Sequence, residues 1–188
     1  MTTTLRRADR DTPVATAPIV LGLDLSLTAT GYARGDQYGV LHPPKAVGLG
    51  VERLDWTLRE VLELAQGVEL VAIEGYSFGS HASQSRAIGE LGGLIRWGLW
   101  RKEVRYVEIP PSNVKKYATG KGNAGKPEML AAAIRRLDLE TTDDNVIDAT
   151  WLRLMALDHY GFSPVEMPQL NREALDKVKW PRLARRSR

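Results

Sequence analysis

Two short apolar runs, each closed by a carboxylate, constrain this chain more than any other feature. Ile19-Val20-Leu21-Gly22-Leu23-Asp24 and Leu70-Val71-Ala72-Ile73-Glu74 lack the polar alternation of a half-solvated strand. Near-continuous apolar composition over this length is what a central strand needs when both of its faces are covered. The runs therefore predict an α/β sheet, and each puts an acid in or at the end of a buried strand. In a sheet ordered so that these strands are neighbours, Asp24 and Glu74 emerge beside each other. Carboxylates that close repel strongly unless a cation lies among them.

A third acid belongs with them. The stretch Asp143-Asp144-Asn145-Val146-Ile147-Asp148-Ala149 opens an otherwise apolar helix. Thr142 or Asp143 suits the N-cap, and Asp144 in the first turn is favoured by the helix dipole. Asp148 has no such explanation. It lies a full turn inside, before Ala149, Trp151, Leu152, Leu154 and Met155, and a carboxylate facing a core is rarely tolerated unless paired or bound to a metal. Residues three and four apart share a helix face, so either Asp144 or Asn145 can stand beside Asp148. A helix laid along the edge of the two acidic strands brings Asp148 to Asp24 and Glu74. Carboxylates suit hard cations, and two divalent ions about 4 Å apart can activate a water and stabilise the leaving oxygen of a phosphodiester.

Composition narrows the chemistry. The 188 residues, 43% of them hydrophobic, suit one domain with a sizeable core. The absence of cysteine excludes disulfides, thiolate zinc sites and cysteine nucleophiles. A metal must then be held by carboxylates, amides or the three histidines, and oxygen ligands point to magnesium or manganese. No apolar run approaches a membrane span and the first residues lack a signal peptide's apolar stretch, so a cytoplasmic protein is expected. A formal charge of +3 permits a nucleic-acid partner without demanding one.

Along the chain, residues 1–18 read as a disordered arm. Residues 30–34 and 38–41, separated by Gly35-Asp36-Gln37, predict a hairpin that extends the first strand into an antiparallel start. Residues 51–65 carry Leu54, Leu58, Val61, Leu62 and Ala65 at helical spacing and predict a cover helix. Residues 85–100 predict a helix despite Gly89, Gly92, Gly93 and Gly98, each costing roughly 1 kcal/mol relative to alanine. So many glycines imply close backbone packing, against the sheet or against a second copy of the chain. A fifth strand over 106–109 is followed by a short basic helix over 112–117 with Lys115 and Lys116, a glycine loop over 119–125 with Lys121, and an amphipathic helix over 127–137. The acidic helix runs to about residue 159. Residues 161–188 lack a sustained apolar pattern and end with Arg182, Arg185, Arg186 and Arg188, reading as a flexible basic tail that solubilises the chain or touches phosphate.

One tempting motif fails. Gly120-Lys121-Gly122-Asn123-Ala124-Gly125-Lys126-Pro127 follows the phosphate-loop pattern until Pro127 replaces the hydroxyl that would ligate magnesium, and it follows a helical segment instead of a strand. It reads better as a loop whose lysines approach a phosphate backbone, beside the plainer reading of a solvated lysine cluster.

Four segments, in this order, resemble the RuvC family of Holliday junction resolvases, phage-encoded members especially. They are Gly22-Leu23-Asp24-Leu25-Ser26, Ile73-Glu74, Val114-Lys115 with Gly120-x-Gly122-x-Ala124-x-Lys126, and Asp144-Asn145-Val146-Ile147-Asp148-Ala149. The resemblance covers residues 19–160 and implies a ribonuclease H-like fold with a mixed five-stranded sheet flanked by helices. It also implies a homodimer and magnesium-dependent nicking of branched DNA: four-way junctions, forks and flaps. By position Asp24, Glu74 and Asp148 match family catalytic acids, and Lys115 and Lys126 match basic residues near the scissile phosphate. Lys116 and Lys121 join them as expected DNA contacts.

This chain departs from the family pattern twice. The family often places an acid three residues before the last aspartate, where Asn145 stands here, and Asp144 lies one further back; the fourth ligand is expected to be Asp144, with Asn145 the alternative. Bacterial members carry an aromatic three positions after the glutamate, where this chain has Ser77 flanked by Tyr76 and Phe78. Either ring can stack on an unpaired base or lie in the core. Two other functions compete: a non-catalytic branched-DNA binding module of the same fold, against which the three acids stand, and an ATPase of the actin-like relatives, disfavoured by the short chain and broken phosphate loop.

Overall fold

The computed structural model describes residues 16–75, 82–137 and 139–183, with the backbone alone for 82–86. Its five strands form one mixed sheet in the order β3-β2-β1-β4-β5. β1 (Val20–Asp24), β2 (Thr30–Arg34) and β3 (Gln37–Leu41) are antiparallel neighbours. β4 (Leu70–Glu74) and β5 (Arg105–Ile109) continue the sheet in parallel on the other side of β1. In the hairpin Arg34 faces Gln37, so the turn is Gly35-Asp36 alone. Gly35 takes the left-handed backbone there, with a φ of 60°, a conformation that suits glycine.

Helices cover both faces. α1 (Val51–Leu64) and α2 (Ala82–Arg101) pack on one side, where Leu21, Leu23, Val71 and Ile73 meet Val61, Leu91, Ile95 and Leu99. α3 (Pro111–Thr119), α4 (Lys126–Arg136) and α5 (Asp144–His159) pack on the other, where Val20, Leu70 and Ala72 meet Ile147, Trp151 and Met155. Successive strand residues face opposite ways. The apolar runs of β1 and β4 are continuous because each alternate set has its own helical layer to fill. The same period puts Asp24 and Glu74 on the α3 and α5 side, in step with Val20 and Leu70.

α5 reaches the sheet because two glycines let it in. A Cβ on Gly22 would lie 2.0 Å from the Ala149 carbonyl oxygen, and one on Gly31 would lie 2.1 Å from that of Asn145. The helix backbone therefore lies directly on β1 and β2. Its flanks are apolar nearly all round, from Val146 to Leu157, as suits a helix sandwiched between a sheet and other helices.

One sequence reading is narrowed and another needs correction. Within the protomer, close glycine packing in α2 is confined, among the glycines described there, to Gly98, whose Cβ would lie 2.5 Å from Leu58 of α1; Gly89 and Gly93 meet nothing within 4 Å, which leaves packing against a second copy as the alternative for them. Residues 161–183 are not a flexible tail. They fold back with a short helix, α6 (Gln169–Arg172), and bury Met167, Ala174, Leu175 and Val178 in the core beneath α3 and α5. These apolar residues sit at irregular intervals across turns, so no period advertised them. The arm up to residue 15 and the last five residues, with Arg185, Arg186 and Arg188, lie outside the described residues. Among the described residues no helix is long and apolar enough to cross a membrane.

Candidate active site

β1 and β4 run parallel with Leu23 level with Ile73, so the next residues, Asp24 and Glu74, leave the sheet side by side. Their carboxyl groups lie within hydrogen-bonding reach of each other. Burial, then the neighbouring charges of Glu74 and Asp148, push Asp24 up to about 8. Glu74 is pushed up to about 7 by burial and the Asp148 charge, with Lys115 pulling the other way. Both carboxyls are thus held well above the usual carboxylate range.

Asp148 completes the group from above. It precedes Ala149, the residue whose carbonyl rests on Gly22, so the tight helix-to-sheet contact fixes its height over β1. Its carboxyl is raised to about 6 by burial and by the charge of Asp144, against Lys115 and Lys126. Asp143 caps α5, its Oδ1 accepting from the backbone N–H of Asn145 and of Val146. The amide of Asn145 turns back and donates to the same oxygen at 3.1 Å. Asp144 faces the other way, with Oδ2 2.8 Å from the Lys126 ammonium. That ammonium is held above its ordinary range by Asp144 first, and by the charges of Asp148 and Asp24 as well.

The other lysines divide. Lys115, on α3, acts on Glu74 and Asp148. Lys116 turns away to Glu173, 2.7 Å distant, and Lys121 pairs with Glu128 at 3.2 Å. The broken phosphate-loop segment does follow a helix, α3, and Pro127 sits in the first turn of α4. Tyr76 and Phe78 lie outside the described residues.

Four carboxylates thus stand against two ammonium groups, one of them already committed to Asp144. The donors are all hard oxygens, which fits a divalent cation such as magnesium. As the side chains stand, no three carboxylates or histidines among the described residues converge closely enough to grip an ion. Asp144 is drawn to the Lys126 ammonium instead, and a bound cation would compete with that lysine for its carboxylate.

Sequence reasoning missed the supports. Gly22 and Gly31 carried a signal in their place within strands, where glycine marks close approach of another backbone. Thr30, buried, clasps the loop after Asp24: its hydroxyl donates to the Ser26 carbonyl at 2.8 Å and accepts from the Ser26 N–H at 3.2 Å.

No family model matches the sequence. The chain is 31% identical over 144 residues to a crossover junction endodeoxyribonuclease RuvC of Synechococcus sp. strain WH7803, covering 69% of this chain and 92% of that protein. It is 30% identical over 145 residues to the Thermomicrobium roseum protein of the same name, covering 69% and 86%. The solved structure of Thermus thermophilus RuvC in complex with a Holliday junction substrate shares the fold, with a TM-score of 0.65 at 21% identity over 80% of this chain and 99% of that one. The mixed sheet is therefore the ribonuclease H-like one that the resemblance implied. With the two acidic strands paired beneath α5 and most of the relatives' length matched, this chain belongs to the RuvC family of crossover junction endodeoxyribonucleases.

Proposed function

We propose that this protein resolves Holliday junctions by hydrolysing phosphodiesters at the branch, with magnesium as its cofactor and manganese able to replace it. The observation that carries the reading is the convergence of Asp24, Glu74 and Asp148 on one end of the sheet, with proton affinities raised by burial and mutual charge. A protein gains nothing in stability from such a cluster; its use is to receive cations. Asp24, Glu74, Asp148 and Asp144 hold the metal, which when bound supplies Lewis acidity toward the phosphodiester and the attacking water. Lys126 and Lys115 place positive charge where the phosphate accumulates negative charge during reaction. Lys121, exposed at the glycine loop, meets the DNA backbone, and Lys116 serves at the edge of that surface. Tyr76 and Phe78, shortly after Glu74, stack on unpaired bases at the branch point.

The active form is a homodimer built on α2. Gly89, Gly93, Trp97 and Trp100 recur at helical spacing on one face, with the tryptophans 55% and 67% exposed and nothing above the two glycines. A second copy of that face would cover them and set two active sites on one four-way junction.

A cleavage panel tests the function. Labelled four-way junction, fork, flap and linear duplex are incubated with magnesium, manganese or chelator. Paired nicks near the branch of the four-way junction, abolished by chelator, are expected. Equal cutting of linear duplex, or metal-independent cutting, would overturn the reading.

A further inference from the structure

We propose that the returning segment around α6 is a positioning device for Lys115 and the lysine loop, so that Asn171 and Glu173 act on cleavage through α3 without touching DNA. The proposal rests on Lys115 facing the scissile phosphate, as argued above.

α3 is short, and its last carbonyls have no partner within the helix. Asn171 supplies one: its Nδ2 donates to the Tyr117 carbonyl at 2.6 Å. The link is returned one turn earlier, where Asn113 Nδ2 donates to the Ala174 carbonyl at 2.8 Å. Both asparagines are buried, at 5% and 8% exposure, so each bond replaces a costly unpaired polar group. A second tie runs through Asp158 of α5. Its Oδ2 accepts from the Tyr117 hydroxyl at 3.0 Å and from Arg172 Nε at 3.1 Å, while Oδ1 lies 3.1 Å from Arg172 Nη2. On the outside, Lys116 pairs with Glu173.

Three residues of α3 are thus held by one segment, and the residue among them that is left to face the acids is Lys115. The segment also abuts the helix end. Gly120 caps α3 with a φ of 85°, and Asn171 Oδ1 lies 3.6 Å from where its Cβ would be. Directly beyond that cap comes the loop bearing Lys121 and leading to Lys126.

Epistasis separates positioning from mere structure. Single-turnover cleavage of a four-way junction and junction affinity are measured for wild type, Asn171→Ala, Lys115→Ala and the double variant, below the melting transition of each. We expect Asn171→Ala to slow cleavage about ten- to a hundredfold, the scale of a misplaced catalytic group, with affinity changed less than about twofold. In the Lys115→Ala background the same substitution should change the rate less than about twofold. Glu173→Lys, an exposed reversal that repels Lys116, supplies the same comparison should Asn171→Ala fail to fold, with about a threefold loss expected. Equal fractional losses in both backgrounds, or full activity of Lys115→Ala, would overturn the positioning role while leaving the nuclease intact. A wild-type protein that does not cut any junction would overturn both.

Discussion

Asp144 and Asn145 compete for one role, and their side chains lie differently. Asn145 is spent on the cap, donating to Asp143, while Asp144 pairs with Lys126 and adds its charge to Asp148. An amide oxygen can ligate magnesium but supplies no charge. Asp144→Ala should therefore lose cleavage selectively and recover in part at high magnesium, whereas Asn145→Ala should keep most of it; inactivity of the Asn145 variant beside a normal Asp144 variant would restore the family register. The proton affinities give a second test. Asp24, Glu74 and Asp148 bind protons more tightly folded than unfolded, so without metal the folded state loses stability as pH rises from about 4 to about 8. The melting temperature of the metal-free protein should fall across that window, magnesium should raise it more at pH 8 than at pH 5, and Asp24→Asn should flatten the fall. An equally steep fall in the variant would contradict this origin. Asp24 and Glu74 were legible in the sequence because charge at the end of an apolar run is conspicuous, and Asp148 because a carboxylate one turn inside a helix, before Ala149, Trp151 and Leu152, is equally so. The Lys116–Glu173 pairing was not, since it joins residues 57 apart.

At the scale of elements, the site depends on how closely α5 approaches β1. Any side chain at position 22 must displace the Ala149 carbonyl, a backbone group that cannot swing aside. Gly22→Ala should destabilise the fold by about 1–3 kcal/mol, the usual cost of overpacking, and lower cleavage further by lifting Asp148 away from Asp24. Urea unfolding measures the first effect, and an unchanged midpoint would contradict the contact. The strands were readable because the apolar runs of β1 and β4 are continuous and end in an acid, and because Gly35-Asp36 marks the turn after β2: all three begin and end within a residue of expectation. The packing segment at 161–183 was invisible for the opposite reason. Its order comes from side-chain amides and scattered apolar contacts, such as Asn171 with Tyr117 and Met167 with the core, and neither leaves a period.

For the whole molecule, symmetry and chemistry make separate predictions. If α2 joins two copies, Trp97→Asp with Trp100→Asp should give a folded monomer by sedimentation that no longer makes paired nicks; a variant still dimeric would move the interface elsewhere. The central claim is that Asp24 holds metal and does not hold DNA. The direct measurement is Asp24→Asn assayed in parallel for binding to a four-way junction and for its cleavage in magnesium. Removing one negative charge relieves repulsion with phosphate, so affinity should equal or exceed that of wild type while cleavage disappears. Cleavage within about tenfold of wild type, a loss of only about 1.4 kcal/mol in transition-state stabilisation, would contradict the assignment.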